Sequence, residues 1–244
     1  MRWEPLYEVT QMKGDSETHP VVSPDDAFAD FESWDRANLA MFKESTPELK
    51  PFEYARPALK NGLAMEQKLG VNPFKFGMIG STDSHTSFSN TEEDNYLGKY
   101  AVATPSKDRW KKLMGEGIPG RVTDMYEWET SMSGLAAVWA TENTRAAIWD
   151  AMKRKEVYAT TGPRLRVRMF GGFDLNEIDA FSKNMASIGY EKGVPMGGEL
   201  SAAPEGTTPT FLIAALRDPD GANLDRVQLV KGWLDSDGRV HERV

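Results

Sequence analysis

Apolar positions change their spacing several times along the chain, and each change predicts an element. Residues 6–12, LYEVTQM, mix β-branched and aromatic side chains and predict a short strand, followed by the polar loop KGDSETHP. SPDD at 23–26 predicts a helix start. Ser23 would cap it, Pro24 would take the first helical position, and the two aspartates favour the positive end of the dipole. Phe28, Phe31 and Trp34 follow at helical spacing, which predicts an inward-packed face. A second helix is predicted from near Pro57 to Leu69, on Ala58, Leu59, Leu63 and Leu69, with Gly70 as its left-handed terminator.

An apolar strand at 74–79 comes next and stops at Gly80. Residues 99–104 (KYAVAT) predict another strand, and 106–114 (SKDRWKKLM) a short basic helix capped by Ser106. The clearest helix is 141–155, with Ile148, Ala151 and Met152 on its apolar face and Lys153, Arg154 and Lys155 at the negative end of its dipole. VYATT at 157–161 then reads as a strand, ended by a turn at Gly162–Pro163. Helix and strand alternate from 6 to 161, which predicts α/β units on a mostly parallel sheet. After Arg164, RLRVRMF, TFLIAALRD and DRVQLVKGW alternate between Asp, Gly and Pro turns and predict an antiparallel, β-rich module. The boundaries that follow are 1–165 for the α/β part and 166–244 for the β-rich part. The chain enters a strand by Leu6 and ends in a strand pattern, RVHERV, so it is expected to be the C-terminal part of a longer protein.

Composition narrows the chemistry. A chain of 244 residues, 40% hydrophobic and 27% charged, belongs to the folded globular class. Its apolar runs fall well short of the roughly 18 residues a membrane helix needs, so no membrane partner is expected. The net charge of −8, without a basic stripe, argues against nucleic acid. The absence of cysteine excludes disulfides, zinc–thiolate sites and thiol nucleophiles. Any metal must rest on His, Asp, Glu or water. No P-loop, dinucleotide fingerprint or G-x-S-x-G elbow is present.

The stretch FGMIGSTDSHTSF, residues 76–88, carries the most specific chemistry. Asp83 and His85 lie just past the end of a strand, where ligands bind in parallel α/β folds. In extended backbone the D-x-H step puts both side chains on one side, within reach of a common cation or of two neighbouring ones. Ser81, Thr82, Ser84 and Thr86 are placed to orient them, and Gly80 permits a tight turn. The same triplet fits a surface loop with a capping aspartate and a solvated histidine, and the residues alone leave both readings open.

GSTDSH resembles the last metal-binding motif of the polymerase-and-histidinol-phosphatase (PHP) superfamily of metallohydrolases. With YEVTQMKGDSETHP, NPFKFGMIGSTDSHTS, EEDNYLGKY, SGLAAVWATENTRAAIWDAM and EVYATTGPR, residues 5–244 resemble a branch of it known as a domain of unknown function, similar to carbaryl-hydrolase-type PHP enzymes. The resemblance implies an α/β fold: part of a distorted (β/α)7 PHP-type barrel followed by a small antiparallel β-rich module. It implies divalent metals (manganese, zinc or iron) at the strand ends, activating water against a phosphoester, ester or amide of a small-molecule substrate. Asp83 and His85 would be the final metal ligands, and Glu8 matches an acidic position that lines the site. The superfamily's opening H-x-H step and middle histidines are absent, since the histidines here are His19, His85 and His241. The metals are therefore expected to be lost if this chain is a fragment. Lys13–Gly14 stands where many relatives carry a histidine–glycine step.

Several other residues are candidates. Lys13 is an anion binder beside Glu17, or half of a surface salt bridge. Arg164, just past a strand end, is an anion clamp or simply solvated. His19, after Glu17 in a polar loop, contacts substrate or metal, or is a solvated loop histidine. EEDN at 92–95 reads as a rim loop and His241 as surface. The expected function is a metal-dependent hydrolase, with Arg164 and Lys13 catalytic, Asp83 and His85 on metal, and Glu8, Glu17 and His19 lining the pocket. The alternative is a non-catalytic PHP-like scaffold or binding module. Exposed strand edges predict self-association. The resemblance implies an exported parent protein, while this chain leaves the compartment open.

Overall fold

The first strand, β1 (Leu6–Gln11), turns back through Met12 and Lys13 into the two-residue β2 (Gly14–Asp15), with Gln11 opposite Gly14 and Thr10 opposite Asp15. Gly14 is required at this turn. Its φ is +100°, and a Cβ there would lie 1.8 Å from the Glu32 carbonyl oxygen. On its other side β1 pairs in parallel with β3 (Gly77–Gly80), Glu8 opposite Ile79 and Thr10 opposite Gly80. The structure, a computed structural model, describes residues 3–87, 98–99, 106–114, 118–130 and 134–244.

The expected second helix is α1 (Ala55–Leu69), closed by Gly70 at φ +74°. It provides the crossover between the parallel strands β1 and β3. Helix α2 (Arg145–Lys153) is capped by Thr144, whose hydroxyl accepts from the Ala147 amide. It joins β4 (Leu135–Val138) to β5 (Val157–Thr160).

The sheet is a correction to the sequence reading. Strands β4 and β5 run antiparallel, Leu135 opposite Thr160, and β1–β3 is the parallel pair among the described residues. Gly80 lies so close to this ladder that a Cβ there would come within 2.7–2.9 Å of backbone atoms of Leu135 and Thr160. The fold is mixed α/β, with small sheets of two or three strands, and no closed barrel forms among the described residues.

The expected helix at 23–34 is absent. Residues 19–31 form successive turns, with Ser23 N bonded to His19 O, Asp26 N to Ser23 O and Ala29 N to Asp26 O. The residues read as caps are engaged in tertiary contacts. Ser23 Oγ donates to Glu242 Oε1, and the Asp26 carboxylate pairs with Arg56 of α1. Phe28 and Phe31 are about half exposed (47% and 45%), so the predicted apolar face is not buried. Only Trp34 packs inward, against Met41, Met114 and Met125. The basic helix at 106–114 reduces to one 3-10 turn, Arg109–Lys111. The strand expected at 99–104, apart from Lys99, and the EEDN loop lie outside the described residues.

The strands after Arg164 pair antiparallel as expected, but of the expected strand DRVQLVKGW (225–233) only the stretch from Lys231 forms, and two helices interrupt the segment. Strand β6 (Arg166–Gly172) pairs with β8 (Thr210–Leu216) along its whole length and with the short β7 (Val194–Pro195). Two helices, α3 (Glu177–Ala180) and α4 (Met185–Lys192), lie between β6 and β7, and Phe170, Leu175 and Leu212 form a core against Met185 and Ile188. The hairpin β9 (Lys231–Leu234)–β10 (Val240–Arg243) packs on α1, where Glu242 meets Lys60 at 2.8 Å. Among the described residues no helix is long and apolar enough to cross a membrane.

Candidate functional site

The parallel strands β1 and β3 end side by side, and the Ser81 amide donates to Thr10 O across them. The chain then turns sharply. Asp83 adopts φ +49°, a left-handed conformation that aspartate tolerates better than most residues with a side chain. This turn folds the D-x-H step onto itself, so that Asp83 Oδ1 and His85 Nε2 lie 3.1 Å apart. The His85 side chain is half exposed and faces out of the rim. Around the pair, Ser84 Oγ and Thr86 Oγ1 share a hydrogen bond of 2.8 Å, and the Ser84 amide donates to Thr82 Oγ1. These hydroxyls brace the loop.

The other carboxylate oxygen, Oδ2 of Asp83, receives three donors. Gln11 Nε2 donates at 3.0 Å, Lys99 Nζ at 2.5 Å, and Lys13 Nζ completes the set. Lys99 also donates to the Asp83 carbonyl oxygen, and its own carbonyl accepts from the His85 amide. Its side chain is almost wholly buried, at 3% exposed. Burial works to raise the pKa of Asp83, but the hydrogen bonds from Lys13, Lys99 and His85 outweigh it and hold the carboxyl well below the usual range. The pKa of Lys99 is lowered as well, which for an ammonium disfavours the charged form. Loss of hydration and the neighbouring Lys13 push its pKa down, although Asp83 opposes them.

Lys13 and Gln11 also line a cavity of about 360 Å³ on the side of β1–β2. Glu8, Asp15 and Tyr54 share that wall, with Trp34, Met41 and Met125 among the apolar lining. Asp15 accepts a hydrogen bond from the Glu17 amide. Burial raises its pKa from 3.8 to about 7, against the lowering effect of that amide and of Arg56.

The expected site residues separate into two groups. Lys13, Asp83 and His85 meet directly, and Glu8 stands on the adjoining cavity wall. Glu17 points to Arg56, at 2.8 Å. His19 is buried: Nε2 meets Asp35 at 2.9 Å, Nδ1 accepts from the Val21 amide, and the ring packs on Tyr54. Arg164 is paired with Asp220 at 2.9 Å and lies 3.8 Å from Asp218. No hydrogen bond or ion pair links Arg164 to Asp83 among the described residues. His241 stacks on Trp233 and bonds Asp235.

Sequence reasoning missed Gln11, Lys99 and Asp15. Strict alternation along β1 would put Gln11 on the face opposite Glu8, and the register shift between Glu8 and Thr10, which the sequence does not show, accompanies their meeting on one cavity. Nothing in KYAVAT marks its lysine as buried. The acid beside Gly14 was visible only as part of a polar loop.

Residues 1–244 match the model of a family described as "Protein of unknown function (DUF3604)". No curated protein and no solved structure matches the chain.

Proposed function

Taking as premise that the chain belongs to the DUF3604 family, we propose that it carries part of the centre of a PHP-type, metal-dependent hydrolase acting on an anionic small molecule. The observation that carries this reading is the convergence of Asp83 Oδ1 and His85 Nε2, 3.1 Å apart at an exposed rim. Two donors each about 2.1 Å from a divalent ion lie about 3.0 Å apart at octahedral positions and about 3.4 Å apart at tetrahedral ones. The bite of the pair therefore fits such an ion. The set is short in number: no group of three or more His, Asp or Glu gathers among the described residues. Asp83 and His85 would thus hold the ion as two arms, with water in open positions. A divalent ion there (manganese, zinc or iron) supplies a bound water of lowered pKa.

The remaining side chains serve binding. Lys13 stands against Asp83 and on the adjoining cavity wall, and a cation in that place favours a phosphoester over a neutral ester or amide. Gln11 fixes the carboxylate by a neutral hydrogen bond. Arg164 already shares its charge with Asp218 and Asp220, so anion binding falls to Lys13.

A second reading, a non-catalytic anion-binding module, is favoured by the ammonium groups that cover Asp83 Oδ2. The test is elemental analysis of purified protein and of Asp83→Ala and His85→Ala, with p-nitrophenyl phosphate turnover measured after reconstitution with each metal. The hydrolase reading expects bound metal and metal-dependent turnover, both lost in either variant. Unchanged metal content and unchanged rates in both variants refute it. Phosphate binding without metal or turnover supports the binding module.

A further inference from the structure

The geometry points to Asp15 as the acid that protonates the leaving oxygen of a phosphoester held at Lys13, with the cavity beside β1–β2 receiving the leaving group. This rests on the hydrolase reading and deepens it by naming a catalytic residue which that reading does not use. Three observations support it. The cavity shares Lys13 and Gln11 with the Asp83 centre, so a substrate whose phosphoryl group lies against Lys13 can extend into it. Asp15 stands on the wall of that cavity, held there by pairing with Thr10 and by the Gly14 turn, which no residue with a Cβ could make without displacing Glu32. Its carboxyl accepts from backbone amides, and no side-chain cation pairs with it among the described residues.

Burial keeps the carboxyl partly protonated near neutral pH, and the charges around it act in opposite directions. Glu17 adds repulsion from the continuation of β2, while Arg56 of α1 opposes it from a distance. The guanidinium of Arg56 is directed elsewhere, to Glu17 and Asp26. Tyr54 faces Asp15 as a neutral phenol, since burial and the surrounding acids raise its pKa. Glu8, Glu53 and the cations Lys13 and Arg36 also line the cavity. With burial as the largest influence, the Asp15 pKa rises to about 7, where an acid is half protonated at working pH and best suited to donate.

In the step, the bond between phosphorus and the leaving oxygen breaks and that oxygen takes the Asp15 proton. Water supplies the oxygen that bonds to phosphorus and releases its proton to solvent. Asp15, left as carboxylate, regains a proton from solvent.

The test compares Asp15→Asn with the parent on two phosphates. Glycerol 2-phosphate has a leaving oxygen that must be protonated, whereas p-nitrophenolate leaves without help. Asp15→Asn is expected to slow glycerol 2-phosphate by about 100-fold or more and p-nitrophenyl phosphate by less than about 3-fold. Equal losses on both, or no loss on either, overturn the assignment. A readout independent of turnover is the carbon-13 carboxyl titration of Asp15. Its midpoint should lie near 7 and rise when phenylphosphonate, a dianion, is added. A midpoint near 4, or one indifferent to phenylphosphonate, overturns the assignment. Parent protein that hydrolyses neither phosphate defeats the hydrolase reading alone, and the placement of Asp15 beside a bound anion is then decided by the titration.

Discussion

Arg56 is the residue through which the N-terminal turns, α1 and the C-terminal hairpin are joined, and replacing it by Met should show how much that joint contributes. Its guanidinium meets Asp26 at 2.7 Å, Glu17 at 2.8 Å and Glu242 at 3.6 Å. These partners are unequal. The Glu17 side chain is 41% exposed, and a pair of that kind contributes about 0–1 kcal/mol. Glu242 keeps Lys60 and Ser23 when Arg56 is gone. Asp26, at 3% side-chain exposure, is left as a buried charge without its cation, and removing one member of a buried pair costs about 3–5 kcal/mol. Arg56→Met should therefore lower stability by about 3 kcal/mol, or about 1 M in the urea midpoint at neutral pH. The loss should depend on pH. Burial alone would raise the Asp26 pKa, but the Phe28 amide and Arg56 outweigh it and leave the pKa lowered. A depressed carboxyl contributes stability above its unfolded pKa of about 3.9 and loses it as pH falls through the folded pKa. The gap between parent and variant should narrow in acid. Asp26→Asn added to Arg56→Met should recover at least about 1 kcal/mol, because no bare charge is then buried. Urea titrations followed by tryptophan fluorescence measure all three. A midpoint shift below about 0.3 M, or independent costs for the two substitutions, would refute the reasoning.

Two further predictions concern stability. Asp15 has a folded pKa raised above its ordinary value, so its contribution is fully present below about pH 4 and is lost as pH rises toward 7. Asp15→Asn should therefore stabilise the protein at pH 8, by on the order of 2 kcal/mol, and change little at pH 4, as read from melting curves at the two pH values. His19→Ala removes a buried ring with both nitrogens engaged and should cost about 2 kcal/mol, while bound metal and turnover of the folded protein stay unchanged. Loss of metal from folded His19→Ala would show that this histidine is a ligand.

Elements set by local spacing were legible in the sequence. Helix α1 with its Gly70 terminator, β1 and β5 lie close to where the pattern of apolar residues puts them, while the expected helix at 141–155 shortens to Arg145–Lys153 and the expected strand at 74–79 shifts to Gly77–Gly80. What failed was decided by distant partners. SPDD has the chemistry of a helix cap, but Arg56 and Glu242 offer Asp26 and Ser23 stronger bonds than a dipole would. LAAV at 135–138 contains no alternation, and its strand exists because β5 lies antiparallel beside it. The convergence of Asp83 and His85 followed from the spacing of the motif only in part. It also needs the left-handed turn at Asp83 and a buried lysine from sixteen residues further along the chain.

The acids of this region differ chiefly in what the cations near them do. Asp26 has Arg56 in direct contact and is held ionised by it. Asp83 has two lysines on one carboxylate oxygen, and their hydrogen bonds hold it ionised against burial. Asp15 feels Arg56 at a distance but receives none of its hydrogen bonds, which go to Asp26 and Glu17. Had that guanidinium turned to Asp15, the pairing would have fixed its carboxylate as ionised and ended its use as a proton donor. The ion pairs that join α1 to the N-terminal turns therefore also leave Asp15, on the cavity wall it shares with Lys13, without a cation in direct contact among the described residues.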